Sequence, residues 1–351
     1  MSRFKVMENK VYIFNLDLNW AIVNSISRID KFDASWLMIE QREGQSLRQL
    51  KYLATIESVG SSTRIEGSKM TDEEVKILID NIDISKLKDR DSQEVVGYFN
   101  VMDLISESFQ DIRMRENDIK NLHNMLLKYS QKDAWHRGDY KQLSNAVEAV
   151  HHDGSKQIIF QTTEPGVATE EAMRELVNWF NDDRETHSLV KAAVFTYEFL
   201  SIHPFQDGNG RLSRLITTLL LLKSNYSWIQ YVSFEHEIES NKGEYYRKLM
   251  ECQQRRPNED ITPWILFFLE SLERVYKKLE TKLEMKGMIS DLSPSEKSVM
   301  VLIQERPGIK SGEITSRLGI SRATVKRILS RLLSSGLIRK HGSGPGTNYS
   351  V

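Results

Sequence analysis

The sequence has one cysteine, seven prolines and no long apolar run, and each shortage excludes a class of protein. A lone Cys252 can neither close an intrachain disulfide nor supply a cysteine-rich metal site, which describes a chain for a reducing compartment. The most apolar stretch, LITTLLLL at 215–222, is far short of the roughly 18 residues that suggest a membrane span. MSRFKVMENKVYIF at the start lacks the apolar core and cleavage site of a secretion signal. The expectation is a soluble cytoplasmic protein with no membrane partner.

Net charge is scarce as well, with 48 Lys or Arg against 49 Asp or Glu. The balance hides a split. Residues 291–351 carry ten basic and four acidic side chains, net +6, which leaves the first 290 residues with 38 against 45, net −7. Any nucleic-acid contact is therefore expected at the C-terminus.

What is present is helix. At 351 residues, two or three domains are expected. Apolar residues recur at helical spacing over about 46–65, 71–81, 92–112, 115–130, 188–202, 211–224, 241–255 and 262–286. Another helix follows Thr169, read as its N-cap, with Met173, Leu176, Val177 and Phe180 on one face. The exception is Gln142 to Thr163, where Asp-Gly-Ser separates short alternating or β-branched stretches and predicts a hairpin. GMISDLS at 287–293 reads as a hinge into the basic tail.

Between two helices of buried character lies HPFQDGNGRLSR, residues 203–214. Gly208 and Gly210 let backbone N–H groups turn inward at a helix N-terminus, a cradle for phosphate. Arg211 and Arg214, three apart in the first turn, can reach one anion with guanidinium forks. Bare phosphates would repel Asp207, so its carboxylate suits a hard cation such as Mg²⁺ bridging them. His203 titrates near neutrality and stands where it can take a proton from an incoming hydroxyl. Phe205 reads as a loop anchor. Far upstream, Ser62 and Glu66 in SSTRIEG share a helix face that Gly67 terminates. A carboxylate at a helix C-terminus calls for a cationic partner.

HPFQDGNGRLSR resembles, at all eight fixed positions, the signature HxFx[DE]GNGRxxR of Fic-domain proteins that move AMP from ATP to a protein hydroxyl. The resemblance implies a Fic-type helical bundle, with His203 as the base acting on a Ser, Thr or Tyr hydroxyl. Asp207 would hold Mg²⁺ against the α- and β-phosphates, and Gly208, Asn209 and Gly210 would form the anion hole. Arg211 would bind phosphate and Arg214 the γ-phosphate. A related phosphorylating subfamily has Lys after the Asn and lacks this glycine, so Gly210 disfavours kinase-type chemistry. SxxxEG is similar to the family's inhibitory motif [ST]xxxE[GN], by which Ser62, Glu66 and Gly67 belong to an inhibitory helix and Glu66 pairs with Arg214. Residues 148–163 correspond to the flap that captures the target by strand addition. WHRGDYK at 135–141 resembles the family's Gly-x-Tyr-Arg element, with Lys141 in the usual place of Arg. His151, His152 and Asp153 then sit at the flap tip rather than on a metal. Residues 241–247 lie where relatives contact adenine, with Tyr245 and Tyr246 as candidates, one of them expected in the core.

After the Ser293–Pro294–Glu296 capping box, SGEITSRLG and SRATVKRILSRLLSSG resemble a helix-turn-helix, and LIRKHGSGPGTNYSV a wing. Val325, Ile328, Leu329, Leu332 and Leu333 form the buried stripe; Arg322, Lys326, Arg327 and Arg331 stay outside. The expected architecture is mainly α in three parts. Residues 1–90 hold the inhibitory helix, 91–287 the Fic core with a small β-hairpin flap, and 291–351 a winged helix open to DNA or protein. Fic enzymes of this kind take ATP as substrate and Mg²⁺ as cofactor. The same site also admits AMP removal, with Glu66 orienting water, or a nucleotide-sensing DNA-binding regulator. The long helix at 262–286 and the winged helix both permit a homodimer.

Overall fold

The computed structural model describes residues 15–150, 156–290 and 292–351. The chain divides into two compact units, Met1–Lys277 and Lys278–Val351. In the first unit come α1 (Trp20–Ile65), α2 (Asp72–Asp80), α3 (Arg90–Ser108), α4 (Glu116–Leu126), β1 (Ala146–Val150) and β2 (Lys156–Gln161). They are followed by α5 (Val167–Asp182), α6 (Ser188–Ile202), α7 (Asn209–Lys223), α8 (Phe234–Ser240), α9 (Lys242–Gln253) and α10 (Thr262–Ser290), whose residues after Lys277 belong to the second unit. The protein is mainly α, as expected.

The pair α6 and α7 forms the centre. From Leu189 to Ile202 only Lys191 is not fully buried, and from Asn209 to Leu222 only Gly210. Helices apolar on all sides are core helices. They pack on each other, with α5 against α6, α3 against α7, and α1 against α3 and α8. Residues 203–208 thus join the two most buried elements. Fully buried Phe199 and Phe205 fix that loop from within, each burial being worth about 1.5–3 kcal/mol.

Three local readings change. The helix expected from 46 begins at Trp20, capped by the Asn19 side chain, with Ile22, Ile29, Phe32 and Trp36 continuing its buried face. Thr169 is not an N-cap. Gly166 caps α5 with φ +78°, a conformation glycine reaches without strain, and Thr169 lies buried in the first turn with its hydroxyl donating to the Glu164 carbonyl. Helix α10 runs through the expected hinge as far as Ser290, because a single glycine and no proline interrupts that stretch. In the hairpin, β1 and β2 pair antiparallel with a register shift between Val147 and Glu148. His151, His152 and Asp153 lie outside the described residues.

The second unit adds α11 (Pro294–Glu305), α12 (Ser311–Leu318), α13 (Arg322–Ser334), β3 (Arg339–His341) and β4 (Asn348–Ser350). Ser293 and Glu296 form the reciprocal cap of α11. Gly319, with φ +63°, ends α12, and Ser321 caps α13. Val325, Ile328, Leu329 and Leu332 enter the unit's own core, with Leu333 partly buried against it. The antiparallel β3–β4 pair completes a winged helix.

Candidate active site

The site is built where α1 ends against the start of α7. Helix α1 stops in a Schellman turn: Gly67 N–H donates to the Arg64 carbonyl at 3.0 Å and Ser68 N–H to that of Thr63 at 3.1 Å, with Gly67 at φ +108°. That turn leaves the side chains of Ser62 and Glu66 on the face toward α7. Arg214, 2 % exposed, donates from Nε to Ser62 Oγ at 2.8 Å. Its Nη2 donates to the Ser62 carbonyl at 3.0 Å and to Glu66 Oε1 at 2.8 Å.

Burial works against the Glu66 charge, but Arg214 and then Arg211 overcome it and hold the carboxyl below the usual carboxylate range. For Arg214, burial likewise opposes the charge and Glu66 more than restores it. The pair is ionised. A Cβ on Gly210 would meet the Glu66 carboxylate and displace it, so this glycine leaves room for the carboxylate at the start of α7, whereas Gly208 supplies the left-handed turn at φ +80°. Helix α7 has no side-chain cap, so the Glu66 carboxylate lies at an open, dipole-positive helix end.

The Asn209 side chain is engaged within the loop. Its Oδ1 accepts from Phe205 N–H at 2.9 Å and its Nδ2 donates to the Phe205 carbonyl at 2.7 Å, so it staples the loop and leaves only backbone for an anion. Asp207 accepts from Gly208 N–H at 2.6 Å and from Arg211 Nη2 at 3.3 Å. Burial raises its pKa, but Arg211, the Gly208 amide and Arg90 pull it below the ordinary value. Arg211 is 1 % exposed and lies 3.2 Å from Glu94 Oε1, yet its Nε and Nη1 lack an aligned hydrogen-bond acceptor. Donors left over in a buried guanidinium are available to an anionic ligand.

His203 ends α6 in the left-handed region, φ 53° and ψ 59°. Its Nδ1 lies 3.3 Å from the Leu200 carbonyl, which can only accept, so Nδ1 carries the proton and Nε2 presents a lone pair. Burial first, and then the Lys141 charge, lower its pKa to about 4, keeping the ring neutral at pH 7. The second histidine at the loop has the opposite tautomer. His123 Nδ1 accepts from Gly138 N–H at 2.9 Å, so Nε2 must donate to the Asp207 carbonyl at 2.9 Å. His123 stacks on Phe205 at 3.8 Å and has no lone pair to offer. Tyr245 is a core residue, edge-on to Trp264 at 5.5 Å, and burial raises its pKa to about 12.

Arg90, Glu94 and His123 are site residues that sequence reasoning missed. They lie on α3 and α4 with no local motif to mark them. The loop and α1 thus bring together Ser62, Glu66, Asp207, Gly210, Arg211 and Arg214, while Gly67 acts through the turn.

Comparison with known proteins shows what the chain is similar to. The sequence model of the Fic/DOC family matches residues 113–221, and that of the MarR family matches residues 290–346. A protein adenylyltransferase Fic from Drosophila virilis is 26 % identical over 296 residues, covering 81 % of this chain and 54 % of that protein. This chain therefore spans about half the length of the curated relatives it matches. A crystal structure of a Fic family protein from Desulfovibrio desulfuricans G20 superposes with a TM-score of 0.64 at 23 % identity, over 98 % of each chain. A Fic domain containing signaling protein from Bacteroides thetaiotaomicron gives 0.53 at 22 %, over 70 % of this chain and 94 % of the other. The loop and its two flanking core helices thus lie in the part of the chain that is similar to the Fic/DOC family, and the C-terminal wing lies in the part similar to the MarR family.

Proposed function

We propose that this protein transfers AMP from ATP to a Ser, Thr or Tyr hydroxyl of another protein. One observation carries the reading. The protein's own carboxylate, Glu66, occupies an anion site made by Gly210, Arg214 and the open start of α7, which is what a phosphate would occupy. Neutral His203, with Nε2 unprotonated, takes the proton from the incoming hydroxyl. The hydroxyl oxygen attacks the α-phosphorus and pyrophosphate leaves. Gly208, Asn209 and Gly210 shape the anion hole, Gly208 through its turn because its N–H is held by Asp207, and Arg211 and Arg214 bind the phosphates.

Magnesium would fit here as an ion held by a single protein carboxylate rather than a caged one. No cluster of three or more His, Cys, Asp or Glu exists among the described residues, but Mg²⁺ commonly needs only one or two carboxylates beside substrate phosphates. Asp207, ionised and with its side chain 35 % exposed, is the residue that would hold it. The ion would offset charge on the phosphates.

Glu66 restrains the reaction by neutralising Arg214. The hairpin offers a strand edge for the target segment. Radiolabelled α-phosphate ATP given to wild type and Glu66→Gly in a native lysate, followed by mass spectrometry, tests the reading. Label should rise on a discrete protein in the variant, and its absence from both would refute transfer.

AMP removal is the second reading. Glu66 gives Oε1 to Arg214 while its side chain stays 30 % exposed, so the other oxygen can orient a water. Release of AMP from a modified target with Mg²⁺ and no ATP distinguishes this direction. For the second unit we propose DNA as partner, through Arg322, Lys326 and Arg327 on the exposed face of α13.

A further inference from the structure

Lys141 is 1 % exposed, an unusual place for an ammonium group, and no role in the proposed reaction uses it. All three of its N–H bonds are engaged. Nζ donates to Asn145 Oδ1 at 2.9 Å, to Thr162 Oγ1 at 2.8 Å and to the Ile202 carbonyl at 3.0 Å. Its backbone N–H donates to the Pro204 carbonyl at 2.8 Å. The one residue therefore holds the carbonyl just before His203 and the carbonyl just after it.

That bracket matters because His203 stands at φ 53°, a region that side chains other than glycine avoid unless neighbouring bonds hold them there. The same ammonium ties down both ends of the hairpin, since Asn145 directly precedes β1 and Thr162 directly follows β2. Thr162 Oγ1 lies 2.8 Å from the Asn145 carbonyl, closing the hairpin's base. Asn145 Nδ2 donates to the Phe205 carbonyl at 2.8 Å, and Leu143 N–H to Gln206 Oε1 at 3.3 Å. The segment leading into the hairpin is thus laced onto the loop from Ile202 to Gln206.

We propose that Lys141 is a positioning residue that holds His203 in its left-handed conformation and locks the base of the hairpin to the same loop, so that hydroxyl donor and base meet in register. The point charge of an ammonium suits the task, because three acceptors converge on it from different directions. Removing the charge takes that donor from the Ile202 carbonyl and Thr162 Oγ1, while Asn145 Oδ1 keeps the Thr162 hydroxyl at 2.6 Å. The part of the proposal that concerns catalysis rests on the transfer reading; the part that concerns the geometry of His203 does not.

The test uses the full chain with Glu66→Gly, comparing Lys141, Lys141→Met and Lys141→Arg. Two quantities are read: the kcat and KM for nucleotide in transfer, and the imidazole ¹⁵N signals of His203. Lys141→Met should lower kcat at least about tenfold, roughly one charge-assisted hydrogen bond, while KM for nucleotide stays within about twofold. His203 should lose its defined Nδ1–H tautomer in the same variant, and Lys141→Arg should recover both readouts. Thr162→Val, which removes one acceptor of the ammonium together with the hydroxyl that closes the hairpin's base but leaves the Ile202 contact, should show the same pattern at smaller amplitude, and it stands in should Lys141→Met not fold. Unchanged His203 signals in a folded Lys141→Met overturn the proposal even where no transfer is detectable. Absent transfer in every form, with His203 signals altered as expected, would refute the transfer reading and leave the clamp standing.

Discussion

The two units use their basic side chains in opposite ways. In the first, Arg211 and Arg214 are 1 % and 2 % exposed and face Glu94, Asp207 and Glu66. In the second, Arg322, Lys326 and Arg327 stand exposed along α13 above an apolar stripe. A desolvated guanidinium needs an anion at all times, so the first unit supplies a carboxylate where a ligand's charge would go. An exposed cation is satisfied by water and ions, and acts only additively when a polyanion arrives. On the proposed reading, self-restraint belongs to the buried set and affinity for a polyanion to the exposed one.

That contrast can be broken at several points. The largest effect is expected at the base that the buried cations serve. His203→Ala in a Glu66→Gly chain should lower AMP incorporation about a thousandfold, measured with α-labelled ATP, and retention of more than a tenth of the activity would remove His203 from the chemistry. Next comes the internal anion. Glu66→Gly alone should raise incorporation at least about tenfold, near 1.4 kcal/mol of released competition, and should tighten nucleotide binding in calorimetry. Equal nucleotide affinity in the two proteins would mean that Glu66 does not compete for the site.

Acid should separate the two histidines from the exposed cations. His203 and His123 have folded pKa values of about 4, below the ordinary 6.5, chiefly because they are buried. Between those values the unfolded chain binds protons that the folded chain does not. Stability therefore falls as pH drops from 6.5 toward 4 and is regained on return. Urea melts across that window should show the slope, and His203→Ala should make it shallower. The smallest effects belong to α13. Single alanine substitutions at Arg322, Lys326 or Arg327 should weaken binding to a DNA duplex only severalfold, lower the salt slope by about one each, and leave the melting temperature nearly unchanged. A large stability loss there would contradict the picture of solvated cations.

The helical class and the winged helix were legible because periodic apolar spacing and turn glycines act locally. Residues 203–214 were legible for another reason: an imidazole, a carboxylate and two guanidiniums crowd around two glycines in a dozen positions. The SxxxEG spacing put Ser62 and Glu66 on one helix face, and the fold sets both on Arg214. Arg90, Glu94 and His123 were not legible as site residues, and Lys141 was marked only as a departure from the usual Arg. The first three reach the loop only by tertiary packing, Arg90 and Glu94 from α3 and His123 from α4, and a single buried His or Glu has no sequence periodicity of its own. The staple that the Asn209 side chain forms on Phe205 was not legible either, because it depends on how the loop closes. The start of α5 was missed because Gly166 caps with its backbone, leaving Thr169 as the more obvious side-chain signal.

The most direct test supplies the Glu66→Gly chain and its target with ATP labelled on either the α- or the γ-phosphorus, and asks which label becomes protein-bound. AMP transfer from this loop predicts acid-stable incorporation of the α label alone. Incorporation of the γ label, or of neither, would contradict the account.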